Sequence, residues 1–491
     1  MNPKYGTIAA GHTTTAQAGI DMLEAGGNAF DAALAAMLVS FVSEASLTSM
    51  GGGGFMNTYT ADGKACLYDF FVQTPHHRKP MGEVDFRDSY IHFGAASQHQ
   101  YNGKASIAVP GCPAGLFHVH KRLGSLPMKE IIKPAVSLAR EGVVITPYQE
   151  YSLKILEEIL LEKPAISRRY TRNGQSLKTG DRMYLPLFAD TLEWMAKEGV
   201  ELFYRGEIAQ NFAKDHAENG GIITLEDLAN YQVIEREPLQ ATYKDHILLT
   251  NPPPSAGGSL ICHGLEQAAK IDTVLDDFKP HGSDYIRTIA SIFQQMDDYR
   301  RDHLTDYLDK LGNTTQLSVI DTQGNAASLT TTIGGSSGEA IPGTDIHANN
   351  MLGELDLFPR GVYQWPENRR VSSMMSPSIV LYGGKPKIVI GSGGSARIRT
   401  AILQVVLNLI SHGLTPQEAV DHPRIHWEGH LLSAEPGLLD VGEAFSLAGS
   451  RVHFWEEKNM FFGGTHMAYQ DENGMLTGAA DARRSGVVMS S

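Results

Sequence analysis

Leu311 to Ile333 reads LGNTTQLSVIDTQGNAASLTTTI, with a threonine pair after Gly-Asn and three consecutive threonines near its far end. Two alternating apolar and polar runs flank Thr322-Gln323-Gly324, the pattern of a β-hairpin. Side chains alternate faces along a strand, so the loop length decides which threonines meet. A three-residue turn with Gly324 in the left-handed position pairs residue 321 with 325. Thr314 then stands opposite Thr332 on one face, with Cβ atoms about 5 Å apart. A four-residue loop sets 332 opposite 315 instead. The hairpin carries chemistry only with the first parity. An N-terminal threonine can pass its hydroxyl proton to its own α-amine, whose unperturbed pKa is about 7.7 to 8.0. Thr314 acquires that amine only if the Asn313–Thr314 bond is cut, by attack of its own hydroxyl on the preceding carbonyl and hydrolysis of the ester. Gly312 gives the junction room to adopt the strained geometry. The plainer alternative is that threonine simply suits a strand.

The chain has 491 residues, 41 basic against 55 acidic, and a formal net charge of -14. That balance fits neither nucleic acid nor an anionic membrane as a general partner. Cys66, Cys112 and Cys262 are far apart and form no CxxC pair, so neither a disulfide framework nor a zinc knuckle is indicated. The first residues lack a continuous apolar core and meet Asp21 early. The longest apolar run, AFDAALAAMLVSFV, falls short of the roughly 20 residues that cross a bilayer and carries Asp31. A soluble, cytoplasmic protein is expected.

A helix is predicted from Thr13 to Glu24, stopped by Gly26-Gly27, and a second from the cap Asn28 to about Val42. A hairpin around Asp62-Gly63 follows. The middle, from about Pro110 to Lys270, reads as mostly helical, with a loop at NPPPSAGGSL, Asn251 to Leu260. SMMSPSIVLYGGKPKIVIGSGGSARIRTAILQVV reads strand, turn, strand, glycine loop, helix. The end, from His453 to Met489, reads as two strands around DENG. Strands at both ends with helices between imply layered sheets covered by helices.

The glycine runs MGGGGF and IGSGGSAR match neither a P-loop nor a dinucleotide fingerprint. Gly393 and Gly394, just before a helix near Ala396, can expose two backbone N–H groups as an oxyanion hole needs, or form a tight turn with no ligand. His422, His426 and His430, with Glu428, are spaced four apart, but Pro423 and Gly429 argue against one helical metal-binding face. No metal or cofactor is expected. No GxSxG elbow is present, and Ser372 and Ser373 lack a neighbouring histidine in sequence, so they read as ligands or turn formers.

Together the motifs EAGGNAFDAALAA, GGGGF, AVPGCPAGL, LPMKEIIKPAVSLAREG, LFYRGEIAQ, GGIITLEDLANYQVIEREPL, NPPPSAGG, NTTQLSVIDTQGNAASLTTT, SSMMSP, GSGGS and GAADARRSG resemble, in order, the gamma-glutamyltransferase family of N-terminal-nucleophile hydrolases. The resemblance spans nearly the whole chain. It implies an α+β fold of four αββα layers, made as a precursor and self-cut at Asn313–Thr314 into a large subunit, 1–313, and a small subunit, 314–491. By motif, Thr314 resembles the nucleophile and Thr332 the hydroxyl that tunes it. Gly393 and Gly394 look like the oxyanion pair, Ser372 and Ser373 the holders of a substrate α-carboxylate, and Glu354 the acid for its α-amino group.

Four positions depart from the family pattern. Phe71 stands where an arginine pairs with the α-carboxylate, Gln316 replaces a histidine, Gly334 an asparagine and Met351 a glutamine. The lost bidentate contact is of a kind worth about 1.5 to 3 kcal/mol. The resemblance therefore implies a gamma-glutamyl amide hydrolase or transferase of small-molecule substrates. Two rivals stand beside it: an acylase for a glutaryl, cephalosporin-like or other acyl group, and an uncut, catalytically silent binding protein.

Overall fold

The computed structural model describes residues 3–93, 96–277, 279–280, 282–304, 314–354, 361, 363–438 and 451–491. Asn313 and Gly312 lie outside them.

The helix expected first is α1 (Thr13–Glu24), and Asn28 caps α2 (Ala29–Ser43) through a reciprocal box with Asp31. That box satisfies orphan N–H groups at the helix start. The strands that follow α2 and precede it form one seven-stranded sheet: β1 (Gly6–Ala10), β2 (Gly53–Tyr59), β3 (Ala65–Phe70), β4 (Ile234–Arg236), β7 (Thr314–Asp321), β8 (Ala326–Thr332) and β13 (Val487–Ser490). Its order is β4-β3-β2-β8-β7-β1-β13. The second sheet takes β5 (Leu239–Tyr243), β6 (His246–Thr250), β9 (Ser378–Tyr382), β10 (Lys385–Gly393), β11 (Gly464–Gln470) and β12 (Leu476–Ala480) in that order. Neighbours in both sheets run antiparallel.

Helices α1 and α2 cover the outer face of the first sheet. On the far side, α5 (Ala256–Ala269) and α7 (Arg397–Ile410) cover the second, with α6 (Ser283–His303) packed on α5. On the α2 side of the first sheet, α3 (Cys112–Leu123) packs on β3 and α2, and α4 (Met128–Glu141) packs on α2. Four layers, αββα, result.

The hairpin has odd parity. Gly324 has φ 94°, Asp321 N donates to Asn325 O at 3.0 Å, and the register runs from Ile320 opposite Ala326 to Thr314 opposite Thr332. One face carries Leu317, Val319, Ala327 and Leu329 into the core beneath α1 and α2. The other meets the second sheet. There Ile320 and Ala326 join an apolar cluster with Ile379 and Val389, and the rungs then turn polar: Ser318 with Ser328, Gln316 with Thr330, Thr314 with Thr332. All six polar side chains are buried.

Asp321 fixes the turn. Its carboxylate accepts from Gln323 N at 3.0 Å, Asn325 N at 2.9 Å, Asn325 Nδ2 at 2.8 Å, and Ala29 N at 3.0 Å in the first turn of α2. Removing one acceptor strands several buried donors. Asp321→Ala is expected to lose about 3 kcal/mol of stability, read from the denaturant midpoint.

One expectation fails in part. The segment Asn251 to Leu260 is a loop only to Ser255, because α5 starts at Ala256. Its Gly257 and Gly258 serve close packing: a Cβ there would lie 2.1 Å from Met374 O and 2.0 Å from Asn251 O. The middle of the chain is mostly helical as expected, although β4, β5 and β6 also lie within it. Their three to five residues are too short to dominate a helical reading of the surroundings.

Candidate functional site

The first rung of the hairpin lies where the two sheets meet the glycine loop after β10. A row crosses the first sheet from Thr314 to Thr332 and on to Gly53. Gly54 pairs with Phe70, so Phe71 follows opposite Gly53, and a Cβ on Gly53 would lie 3.0 Å from Phe71 Cα. Directly opposed residues share a face, which puts Phe71 on the side of the sheet that carries Thr314. Three strand spacings separate them, about 14 Å, and Gly53 adds no side chain between. Phe71 is buried and stacked on Phe55, ring centroids 5.2 Å apart.

The second sheet closes on the same rung. A Cβ at Gly393 would stand 2.3 Å from Thr314 O, and Gly394 takes φ 121° before α7 begins at Arg397. The close approach admits only glycine. Arg484 completes the corner: its Nη1 donates to Thr314 O at 3.2 Å and its Nη2 to Met460 O at 3.3 Å.

The turn after Thr332 ties the hydroxyl to a carboxylate. Thr332 Oγ1 accepts from Gly334 N at 2.9 Å, and the next amide, Gly335 N, donates to Glu354 Oε1 at 2.8 Å and Asn350 Oδ1 at 2.7 Å. Gly334 has φ 72°, and a Cβ there would lie 2.3 Å from both Glu354 Oε1 and Asn350 Oδ1. Glycine at this position is thus what lets Glu354 approach the turn. Burial pushes the Glu354 carboxyl up to about 7, against a smaller lowering from Gly335 N–H. A carboxyl raised on folding adds stability that is full below its unfolded value near 4.5 and is lost as pH rises through 7. Glu354→Gln is therefore expected to raise the melting temperature at pH 8, a gain of about 3 kcal/mol, and to leave it unchanged at pH 4.

The remaining candidates are placed less directly. Val371 N donates to Val72 O at 3.1 Å, which sets Ser372 and Ser373 just past the Phe71–Val72 segment. Ser373 Oγ accepts from Met375 N at 3.0 Å, and its carbonyl receives Ala256 N and Ser255 Oγ at the start of α5. It forms a turn there. Met351 is buried in the same apolar cluster as Phe71. Gln316 is not a pocket residue. It lies between the sheets, accepting from Thr330 Oγ1 at 2.6 Å and donating to Ser328 Oγ at 2.9 Å.

The three histidines do not converge. His426 is buried in the strand Ile425–Glu428 with Thr400 Oγ1 at 2.9 Å, whereas His430 is exposed. Among the described residues, no group of three or more His, Cys, Asp or Glu is placed to hold a metal ion. No helix among them is long and apolar enough to cross a membrane. Sequence reading missed Arg484, although it lies in the quoted GAADARRSG. The available signal was an arginine pair beside a terminal strand.

The Gamma-glutamyltranspeptidase family model matches residues 15–309 and 287–491. Among curated relatives, Acylase ACY 1 proenzyme of Pseudomonas sp. (strain SE83) is 29% identical, over 98% of this chain and 92% of its own. The Glutathione hydrolase proenzyme of Escherichia coli (strain K12) is also 29% identical, over 98% and 91%. Of solved structures, cephalosporin acylase from Bacillus halodurans superposes with TM-score 0.82 at 24% identity, covering 100% of this chain and 96% of that one. Helicobacter pylori gamma-glutamyltranspeptidase gives TM-score 0.52 at 28% identity, covering 59% and 81%.

Proposed function

This chain belongs to the gamma-glutamyltranspeptidase family, and from that premise we propose that it cuts itself at Asn313–Thr314 and then hydrolyses or transfers gamma-glutamyl amides. The observation that carries the proposal is the rung itself: Thr314 opposite Thr332, with Gly393 against its carbonyl. In self-cleavage, Thr314 Oγ attacks the Asn313 carbonyl carbon and the C–N bond breaks. The released amine takes the hydroxyl proton, and water opens the ester to leave an Asn313 carboxylate. In turnover, Thr314 Oγ adds to the substrate amide carbon while the α-amine takes its proton. Gly393 and Gly394 receive the oxyanion, the leaving amine departs with the proton, and water or an acceptor amine opens the acyl ester. The pieces 1–313 and 314–491 would stay together, because β7 and β8 lie between β1 and β2 in one sheet. A reducing, cytoplasmic setting belongs to the same proposal, supported by three free cysteines.

Glu354 favours an acyl group that carries an amine. Its carboxylate, at the turn after Thr332, is the acid available to an ammonium on the substrate. The apolar pair Phe71 and Phe55, with Met351 in the same cluster, favours a second reading, an acylase for glutaryl or cephalosporin-like groups. Initial rates with a gamma-glutamyl anilide and the matching glutaryl anilide separate the two. The first reading expects the amine-bearing substrate to be preferred, with a KM that rises as Glu354 protonates below about pH 7. Turnover of the glutaryl anilide alone would reject it in favour of the acylase.

A further inference from the structure

One buried acid lies beside the nucleophile's strand and takes no part in the steps above. Glu44 follows α2 in the run LVSFVSEASL and is 5% exposed. Its Oε2 accepts from Thr315 Oγ1, the residue after the nucleophile, and its Oε1 accepts from Thr15 Oγ1 at 3.1 Å. Thr15 Oγ1 in turn meets Ser43 Oγ at 2.8 Å. The space is shaped for the carboxyl, since a Cβ on Gly11 would lie 2.4 Å from Glu44 Oε2 and 3.2 Å from Thr315 Oγ1. Burial raises the Glu44 carboxyl to about 7, against lowering by the Thr315 and Thr15 hydroxyl donors and, less, by the charge of Arg484. The charged and titratable groups facing it are Arg484 and the buried Tyr148 on the helix Pro147–Ile155.

Thr314 and Thr315 point to opposite faces of β7. Glu44 therefore cannot take the Thr314 hydroxyl proton. It reaches the nucleophile by two indirect routes, the Thr315 hydroxyl and the guanidinium that donates to Thr314 O. We propose that Glu44 is a positioning residue for Thr314, holding the start of β7 through Thr315 and balancing the Arg484 cation that grips the Thr314 carbonyl. The inference rests on Thr314 being the nucleophile. It adds that the amine freed by cleavage works in a local field set by two buried charges of opposite sign. The anion stabilises the protonated amine, and the cation opposes it. Without the carboxylate, the amine gives up its proton at lower pH.

The test is the pH dependence of kcat in the cleaved wild-type protein, Glu44→Gln and Glu44→Asp, with a gamma-glutamyl anilide. Glu44→Gln keeps size and removes the charge, leaving one acceptor oxygen and an NH2 donor for the two threonine hydroxyls. It is expected to move the acidic limb down by about half a pH unit or more and to lower kcat with little change in KM. Glu44→Asp is expected to return the limb toward wild type. A Glu44→Gln protein that is cleaved and active with an unmoved acidic limb overturns the inference, while leaving Thr314 as nucleophile untouched. Where Glu44→Gln does not fold, Thr315→Val serves: it removes one donor to the carboxylate, keeps Glu44 neutral to higher pH, and should move the limb the same way. An unmoved limb there overturns the inference equally.

Discussion

Thr314→Ala is expected to remain one uncut chain of 491 residues and to lose amide turnover by about a thousandfold or more. The substitution removes one hydroxyl that does two jobs. In the precursor it is the only group the proposal allows to attack the Asn313 carbonyl, so no fragment should form on prolonged incubation. In turnover it is the atom that forms the acyl ester, and no neighbour can replace it. Thr332 is held by Gly334 N–H, and Thr315 faces the helical layer, where it donates to Glu44. The fold should survive. Thr314 is at the end of β7, and the apolar packing of the hairpin comes from Leu317, Val319, Ala327 and Leu329. An unchanged melting temperature with no cleavage separates lost chemistry from lost structure. Unchanged ligand affinity with no turnover in either Thr314→Ala or wild type would instead favour the silent-binder reading, and equal turnover in both would point to a different nucleophile.

Gly393→Ala should have the next largest effect, a fall in kcat of about 100- to 1,000-fold with KM changed far less. The added methyl carbon has no place to go, being 2.3 Å from Thr314 O and 2.9 Å from Arg484 Nη1. A backbone carbonyl cannot swing aside as a flexible side chain can. Either the start of β7 or the end of β10 must move, and both hold reacting groups under the proposal. Displacing an oxyanion donor by even an ångström weakens an interaction made fully only in the transition state. Self-cleavage should slow as well, because it passes through the same tetrahedral geometry. Steady-state kinetics and a time course on denaturing electrophoresis measure the two effects.

Much of this was legible in residues 311–333 because strand parity is arithmetic. Once Gly324 closes a three-residue turn, each pair down to Thr314 and Thr332 follows, and the alternation of Leu317 and Val319 with Ser318 and Ile320 assigns the faces. Helices α1 and α2 were equally plain, since Gly26-Gly27 and Asn28 are local stop and start signals. What stayed hidden depends on contacts far apart in sequence. Glu44 and Thr315 are 271 positions apart, and Arg484 and Thr314 are 170 apart. No periodicity brings them together; only the stacking of α2 and the two sheets does. Gly334 shows the same limit from the other side. In sequence it is a missing polar side chain, and in the fold it is the space that Glu354 occupies. Gln316 shows it too: in sequence it is only a departure from a family histidine, whereas the inter-sheet rungs give it four polar partners and no opening.

The most direct measurement is the N-terminal sequence and intact mass of the smaller fragment in purified protein. The expectation is a fragment that begins Thr-Thr-Gln-Leu-Ser and appears together with activity. A fragment with any other start, or a chain that stays whole while turning over the anilide at full rate, would contradict it.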